Sequence, residues 1–487
     1  MLPRRELSKI LFASAGGALA LASRAQAQSC TGAATPNYPV TSAETTASIT
    51  PTCTGYPPGS VLRYGADPTG VNDSHTAFNN ALKCNGHVFD DFPGGGRYVI
   101  SGTIQFQRTG QTLQGQGYGE SSSVSGTSIK YTGSSGGVML SFSNGSQNFS
   151  DCGLDGFFLE GNSLANIGVQ LYNDSITGGS WRNTVRNCAI WNVTAGTNPT
   201  AVYLGLLDGA PSFANDSILD ALWINNSARG FAGRGSIYRL RSCSVEACSD
   251  AAIHAEQGAV WDAQGCVFSS NSRDFDGSNI QQFTASGCWF ENSTLGIYRA
   301  AVAHSVAFTG CFLHTFDTSL MMDFGDSAGY HFLGGNFIPS GTKSLKIVNV
   351  NPTATGGVIG QGVQLTYAGS GANVPLNLPP VQTGTGAVRS VSATLSPGQQ
   401  MVLSTGRGTF LVGVDIWWTQ SANVRSQATY SAFLFDGDNE GVLQIASRTG
   451  SGGGQSYTLA PSVNGLTLTY TGSQTVSAFM SASGVTG

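Results

Sequence analysis

Charge is what this sequence has least of. Asp, Glu, Lys and Arg make up 10% of its 487 residues, against roughly 25% in an ordinary globular chain. Long surface helices and coiled coils draw heavily on those residues, so a fold built on them is excluded. Lys and Arg total 23, too few to clothe a phosphate backbone, and nucleic acid is not expected as a partner. Histidine is rarer still, six in all, with no H-E-x-x-H pair, and no C-x-x-C occurs. No metal site and no cofactor are therefore expected. Asp436-Gly-Asp438-Asn-Glu440 opens like a calcium loop but lacks the acid twelve places from its start. No dinucleotide fingerprint, P-loop or G-x-S-x-G elbow is present. Against these lacks stand 66 glycines and a hydrophobic share of 40%. That is enough apolar material for a core, divided by frequent turns, and it points to an all-β protein.

The chain opens MLPRRELSKILFASAGGALALASRAQAQ. Arg4 and Arg5 are adjacent, Leu7 and Lys9 follow, and the apolar run from Ile10 to about Ala22 is too short to span a bilayer. Ala25-Gln26-Ala27 offers a cleavage site, so residues 1–27 read as a twin-arginine-type signal peptide. The expected location is periplasmic or secreted. Without those residues the balance is 19 basic against 27 acidic side chains. An acidic protein of this kind is a poor partner for nucleic acid or, after signal cleavage, for a membrane. Export also makes a Cys30–Cys53 bridge available in the N-terminal extension, residues 28–59.

A repeat runs through the middle of the chain. Cys243, Cys266, Cys288 and Cys311 begin similar strings at intervals of 23, 22 and 23. Phe231, Ile253, Phe275, Ile297 and Leu320 form a second series at 22, 22, 22 and 23, and Val169 and Val202 continue it upstream at wider intervals, as if loops were inserted. Short alternating runs at a period near 22 are the requirement of a β-solenoid whose coils bury like residues on like. Cys188, Cys243, Cys266, Cys288 and Cys311 are then expected as free, buried thiols.

Residues 61–82, VLRYGADPTGVNDSHTAFNNAL, resemble the opening motif of the pectate-lyase-like superfamily through Val61, Tyr64, Gly65, Ala66, Gly70, Asp73, Ala77 and Ala81. The superfamily includes rhamnogalacturonase- and polygalacturonase-like enzymes and phage tailspike-like proteins. Phe92–Ile104 and Thr112–Gly117 resemble its next two strands. The resemblance implies a right-handed parallel β-helix over residues 60–350. Ser74–Leu82 places Ala77, Phe78, Ala81 and Leu82 on one face, with Asp73 as N-cap, and reads as a helix capping the open end of the solenoid.

With Ile253, Phe275 and Ile297 facing inward, one outward face carries Arg234, His254, Glu256, Asp274, Asp276 and Tyr298. The resemblance implies that this strand lines the substrate cleft. Asp274 and Asp276 flank an inward residue, which sets their Cα atoms ~6.6–7 Å apart. Inverting glycosidases hold their carboxyls ~6.5–9.5 Å apart, and close carboxylates raise one another's pKa. Asp274 and Asp276 are accordingly expected as the acid/base pair, assisted by Glu256 and His254, with Arg234 and Tyr298 binding substrate. A second outward column, Glu246, Ser269, Glu291 and His314, offers Glu246 and Glu291 as further substrate-binding candidates. The function these residues point to is cleavage of glycosidic bonds in a polysaccharide. Elimination on an acidic glycan needs basic groups, and lysine is nearly absent from the repeat, so hydrolysis is preferred. The alternatives are a polysaccharide lyase and a non-catalytic, tailspike-like glycan-binding adhesin.

Periodicity fades after residue 350. Residues 351–387 read as a linker. Alternating strands resume over 388–487 without the 22-residue period, and Asn464-Gly465 signals a hairpin, which suggests a small β-sandwich-like domain. Trp417 and Trp418 within it offer rings for sugar stacking. The tailspike resemblance implies that such a region carries homotrimerisation.

Overall fold

A computed structural model describes residues 37–118, 126–176, 178–205, 214–235 and 237–316, and further on chiefly the backbone of strands. The signal-like segment and Cys30 lie outside the described residues, as does Trp418. The described chain is a right-handed parallel β-helix of three sheets. The first sheet stacks, among others, Ala165–Gln170, Thr200–Tyr203, Arg229–Gly233 and Ala251–Ala255 in parallel. The second stacks Thr184–Arg186, Ser217–Asp220, Tyr238–Arg241 and Val260–Gln264. The third stacks Ala189–Trp191, Trp223–Asn225, Ser244–Glu246, Val267–Ser269 and Trp289–Glu291.

The coil closes because alternation puts one apolar residue per strand inside and tight turns bend the chain between sheets. Between the second and third sheets the turn is made by one left-handed residue per coil: Ala221, Ser242, Gly265 and Gly287 have φ of 52°, 51°, 60° and 60°. Each of these residues donates its N–H to the next coil, so the conformation is fixed by the ladder. A Cβ added at Gly265 meets nothing within 4 Å, so the preference for glycine there is conformational. Ala221→Gly is thus expected to stabilise the protein by a few tenths to about 1 kcal/mol, relief of left-handed strain outweighing the added freedom of the unfolded chain. The urea midpoint of the variant measures it.

The residue after the turn into the third sheet is Leu222 after Ala221 and a cysteine after Ser242, Gly265 and Gly287. Cys188, Cys243, Cys266, Cys288 and Cys311 are free and buried, as their spacing predicts. Burial pushes the Cys188 thiol up to about 12, keeping it protonated and inert. Cys248 is also buried, in line with Ser227, Asn271 and Ser293 of neighbouring coils. Cys53 is disulfide-bonded.

The N-terminal end is closed as expected. His75–Cys84 is a helix that buries Ala77, Phe78, Ala81 and Leu82. Asp73 precedes the cap position, Ser74, yet its carboxylate accepts the His75 N–H at 3.1 Å and the Ser101 N–H at 3.0 Å. Val61–Tyr64 forms a 3₁₀ turn whose Arg63 is wholly buried, pairing with the buried Glu44 at 2.6 Å. Among the described residues no helix is long and apolar enough to cross a membrane.

Two features differ from the sequence reading. Residues 351–387 are not a bare linker: Gly357–Thr366 and Val374–Leu376 extend the parallel sheets. Among the described strands, antiparallel ladders begin at Ala387–Leu395, which pairs with Val476–Thr486. In the same C-terminal part Tyr457–Ser462 and Gly465–Tyr470 pair antiparallel, Ser462 opposite Gly465, which is the hairpin expected near Asn464. The second difference is one of register. Phe275 lies opposite Tyr298, and Tyr298 opposite Met322, so the inward column is Phe231, Ile253, Phe275, Tyr298 and Met322. The bends joining the third sheet to the first vary in length by a residue, and equal sequence spacing therefore mistook Ile297 and Leu320 for column members.

Candidate functional site

Correcting the register rewrites the outward row of the first sheet. It runs Ser141, Gln170, Tyr203, Ala232, His254, Asp276, Arg299 and Asp323. His254 and Asp276 stand where the sequence put them. Tyr298 does not: it is wholly buried, its ring stacked on Phe275 at 5.1 Å, and it cannot bind substrate. Arg299 takes the outward position instead.

Asp274 is also corrected. It lies in the bend entering the first sheet, between Ala252 and Ile297 of the adjacent coils, and all three are buried. Strand alternation does not hold inside that bend, so Asp274 points inward rather than to the cleft. Asn271 Nδ2 donates to its Oδ1 at 2.9 Å and Ser293 Oγ to its Oδ2 at 2.5 Å. Burial pushes its carboxyl up to about 7. It is a neutral acid of the interior below that pH, and it has no path to a glycan.

Asp276 is nearly buried and held by Arg299, whose Nε and Nη2 donate to its two oxygens at 2.6 and 2.8 Å. Arg273 Nε lies 3.9 Å away. His254 sits on the next rung. Its Nε2 meets Glu256 Oε1 at 2.9 Å, and its Nδ1 lies 4.0 Å from Asp276 Oδ2. That Nδ1 is buried and makes no hydrogen bond. Ser278 Oγ donates to the other Glu256 oxygen at 2.9 Å. The His254 bond, and secondarily that from Ser278, hold the Glu256 carboxyl below its ordinary range despite partial burial.

Glu256 and His254 open onto a groove of about 510 Å³. Its other wall is built from the wide-interval coils: Asp174, Tyr203 and Arg229, with a lining of amides such as Asn166, Gln170 and Asn198. The Tyr203 hydroxyl donates to Asp174 Oδ2. Between Tyr203 and His254 the row carries only Ala232, so no long side chain fills the floor. Asp174, Tyr203 and Arg229 were not singled out from the sequence. The signal was present in the intervals of 33 and 29 residues from Val169 to Val202 and from Val202 to Phe231, which mark where loops rise beside the sheet.

Arg234 lies one coil before Glu256, as expected, but its Nη2 contacts Gln257 Oε1 at 3.4 Å. Glu246, Ser269, Glu291 and His314 do form one column, on the third sheet and away from the groove. There Glu291 accepts from Trp289 Nε1 at 2.9 Å and from Ser269 Oγ at 3.0 Å. Trp289 is stacked on Phe312 at 3.9 Å, so one ring face is already taken. Among the described residues no group of three His, Cys, Asp or Glu side chains could hold a metal ion.

The family described as Rhamnogalacturonase A/epimerase, pectate lyase-like, matches residues 59–318, more than half the chain. No curated protein sequence matches. Similar solved structures include the Acinetobacter phage vB_ApiP_P1 tailspike protein, at 11% identity over 88% of this chain and 87% of that one, with a TM-score of 0.39. The Streptococcus pneumoniae surface protein and adhesin PfbA is 12% identical over 65% and 98%, with a TM-score of 0.37. The Azotobacter vinelandii mannuronan C-5 epimerase AlgE4 A-module is 12% identical over 65% and 96%, with a TM-score of 0.23.

Proposed function

This protein belongs to the Rhamnogalacturonase A/epimerase, pectate lyase-like family, and from that premise we propose that it hydrolyses a polysaccharide in the groove of its first sheet. It is a carbohydrate-active β-helix protein. The observation that carries the reading is the pair of carboxyl groups, Glu256 and Asp174, lining one groove. Tyr203, which clamps Asp174, and His254, which clamps Glu256, stand two rungs apart, roughly 9–10 Å at the spacing of parallel strands. Inverting hydrolysis needs the two carboxyls themselves ~6.5–9.5 Å apart, with room for a water between them, and rungs at this spacing are compatible with that. Glu256, kept ionised, acts as general base on the water. In this reading Asp174 acts in its protonated form, giving that proton to the leaving oxygen while Tyr203 holds the carboxyl in place, and it regains a proton from solvent after each turnover. His254 orients Glu256, and Asp276, locked by Arg299, lies on the far side of His254. Substrate occupies the amide-lined floor.

Incubation of the purified protein with polysaccharides tests the assignment. New reducing ends without absorbance near 235 nm are expected. Reducing ends with that absorbance would make the protein a lyase, and glycan retention with neither would make it a binder. Export to the periplasm or beyond, and homotrimerisation through the C-terminal strands, belong to the same reading. Sedimentation of the purified chain at three times the monomer mass is the expected result for the trimer.

A further inference from the structure

The second sheet has no part in that groove, and it carries a hollow of its own. One outward row on it is His87, Thr112, Gly153 and Thr184; the next is Phe89, Gln114, Asp155 and Arg186. All of these except Phe89, together with Asp151 and Arg182, line a trough of about 380 Å³. Its floor is bare at Gly153. The backbone does not demand glycine there, since Gly153 lies in a strand and is not left-handed. Nor does packing: an added Cβ would meet only Thr112 Cγ2, at 3.4 Å, an ordinary contact. A glycine inside a strand weakens it, and close approach of a ligand is a reason to keep one. The charges of the lining are matched within it. Arg182 donates through Nε and Nη2 to the two oxygens of Asp151 at 2.7 and 2.8 Å. Arg186 Nε donates to Asp155 Oδ2 at 3.0 Å, and Asn187 Nδ2 to Asp155 Oδ1 at 2.9 Å. Both cations are thus committed, which disfavours phosphate or a nucleotide as ligand. What remains for a ligand is neutral: the Gln114 amide and the Thr184 hydroxyl, which donate and accept as sugar hydroxyls require.

A second observation points to the same ligand. Trp181, the neighbour of Arg182, is 41% exposed. The Asp151 N–H donates to its carbonyl at 2.8 Å, so it stands beside the lining of the trough. Its ring is laid over Gly179, where an added Cβ would meet Cζ2 and Cη2 at 2.2 and 2.4 Å. An indole fixed in this way and open to water offers an apolar surface on which a pyranose can stack. The connection that carries Trp181, from Gln170 to Thr184, also borders the hydrolytic groove, which its Asn173, Asp174 and Ser175 line. We propose that the trough on the second sheet, with Trp181 at its rim, is a second, non-catalytic carbohydrate site that holds part of the same polysaccharide through sugar hydroxyls and one ring face. The proposal rests on the carbohydrate-active character of the chain and not on hydrolysis. Polymer held there raises the effective concentration of sugar at the first groove.

The test is retention of the full chain in native gels cast with each of a panel of polysaccharides, followed by calorimetry on a polymer that retains it. Glu256→Gln serves as the background, so that the polymer is not consumed. Gly153→Val fills the floor with a residue suited to a strand, and its melting temperature should equal or exceed the parent's. Trp181→Ala is expected to weaken retention by about five-fold or more, the scale of one lost aromatic contact. Gly153→Val should weaken it comparably, and Trp181→Tyr, which keeps a ring, should restore most of what Trp181→Ala loses. With Glu256 intact, both weakened variants are expected to turn over a short oligosaccharide within about two-fold of the parent while turnover of the polymer falls. Retention unchanged in Gly153→Val and Trp181→Ala overturns the proposal, as does retention by no polysaccharide, or a loss on the short oligosaccharide equal to that on the polymer. Retention that the variants lose, in a protein that cleaves nothing, sinks hydrolysis and leaves the second site standing. Cleavage with retention indifferent to both variants leaves hydrolysis standing and sinks the second site.

Discussion

Glu256→Gln is expected to lower glycan turnover by about 10²–10⁴-fold, the range for loss of a general base, with the melting temperature unchanged. Glutamine keeps the shape of the side chain and can still bond to His254 and Ser278, but it cannot take a proton from water. The position is only partly buried, so stability does not depend on it as it would on an interior charge. The pH dependence follows from the same contacts. His254 holds the Glu256 carboxyl below the usual glutamate value, so the base is lost only when pH falls through that lowered value. The acid limb of the rate profile should therefore lie below the ordinary glutamate range, near 4.5, and should disappear in the variant. Asp276→Asn provides the contrast. It breaks the bidentate lock with Arg299 but leaves both groove carboxylates in place, so it should cost far less in turnover than Glu256→Gln. Equal losses in the two variants would move the chemistry towards Asp276 and away from the groove.

Much of this arrangement is legible in the sequence. The cysteine interval set the solenoid, because a buried column needs one small apolar residue per coil and the chain supplies it at 22 or 23 residues. The column of Glu246, Ser269, Glu291 and His314 follows by counting three places from each cysteine, since the third sheet starts at the same point in every coil. The first sheet is less regular. Its strands are entered through bends of variable length, so counting from Phe275 put Tyr298 outside and Ile297 inside the column, when the pairing is Phe275 with Tyr298. The same bend defeated the alternation rule at Asp274. A period-two pattern describes an extended strand, and it says nothing of a residue one place earlier, where the backbone still curves inward. The opposite wall of the groove was beyond a repeat reading altogether. Asp174 and Arg229 come from coils in which insertions break the period, and only the widening of the interval hinted at them.

Asp274→Asn is expected to stabilise the protein at pH 8 and to leave it nearly unchanged at pH 4. The carboxyl lies in the interior with its pKa pushed up to about 7, against 3.8 for an ordinary aspartate. In the unfolded chain it ionises near the lower value; in the fold it holds its proton to the higher one. Stability is therefore full below about pH 4, falls as pH rises towards 7, and then levels, because the folded state must finally carry a buried charge. A gap of about three pH units corresponds to something on the order of 4 kcal/mol. Asparagine reproduces the protonated acid: its oxygen can accept from Asn271 and its amide can donate to Ser293. Asp274→Leu fills the same space but leaves Asn271 and Ser293 without that partner, and it should destabilise by about 1–3 kcal/mol at every pH. Denaturant melts of the three proteins between pH 4 and pH 8 read these differences directly. Turnover per folded molecule in the asparagine variant should stay within about two-fold of the parent, a factor below ~0.5 kcal/mol in the barrier. An asparagine variant with the parent's pH profile of stability and no turnover would return Asp274 to the catalytic pair, and the bend that buries it would have to open during the reaction.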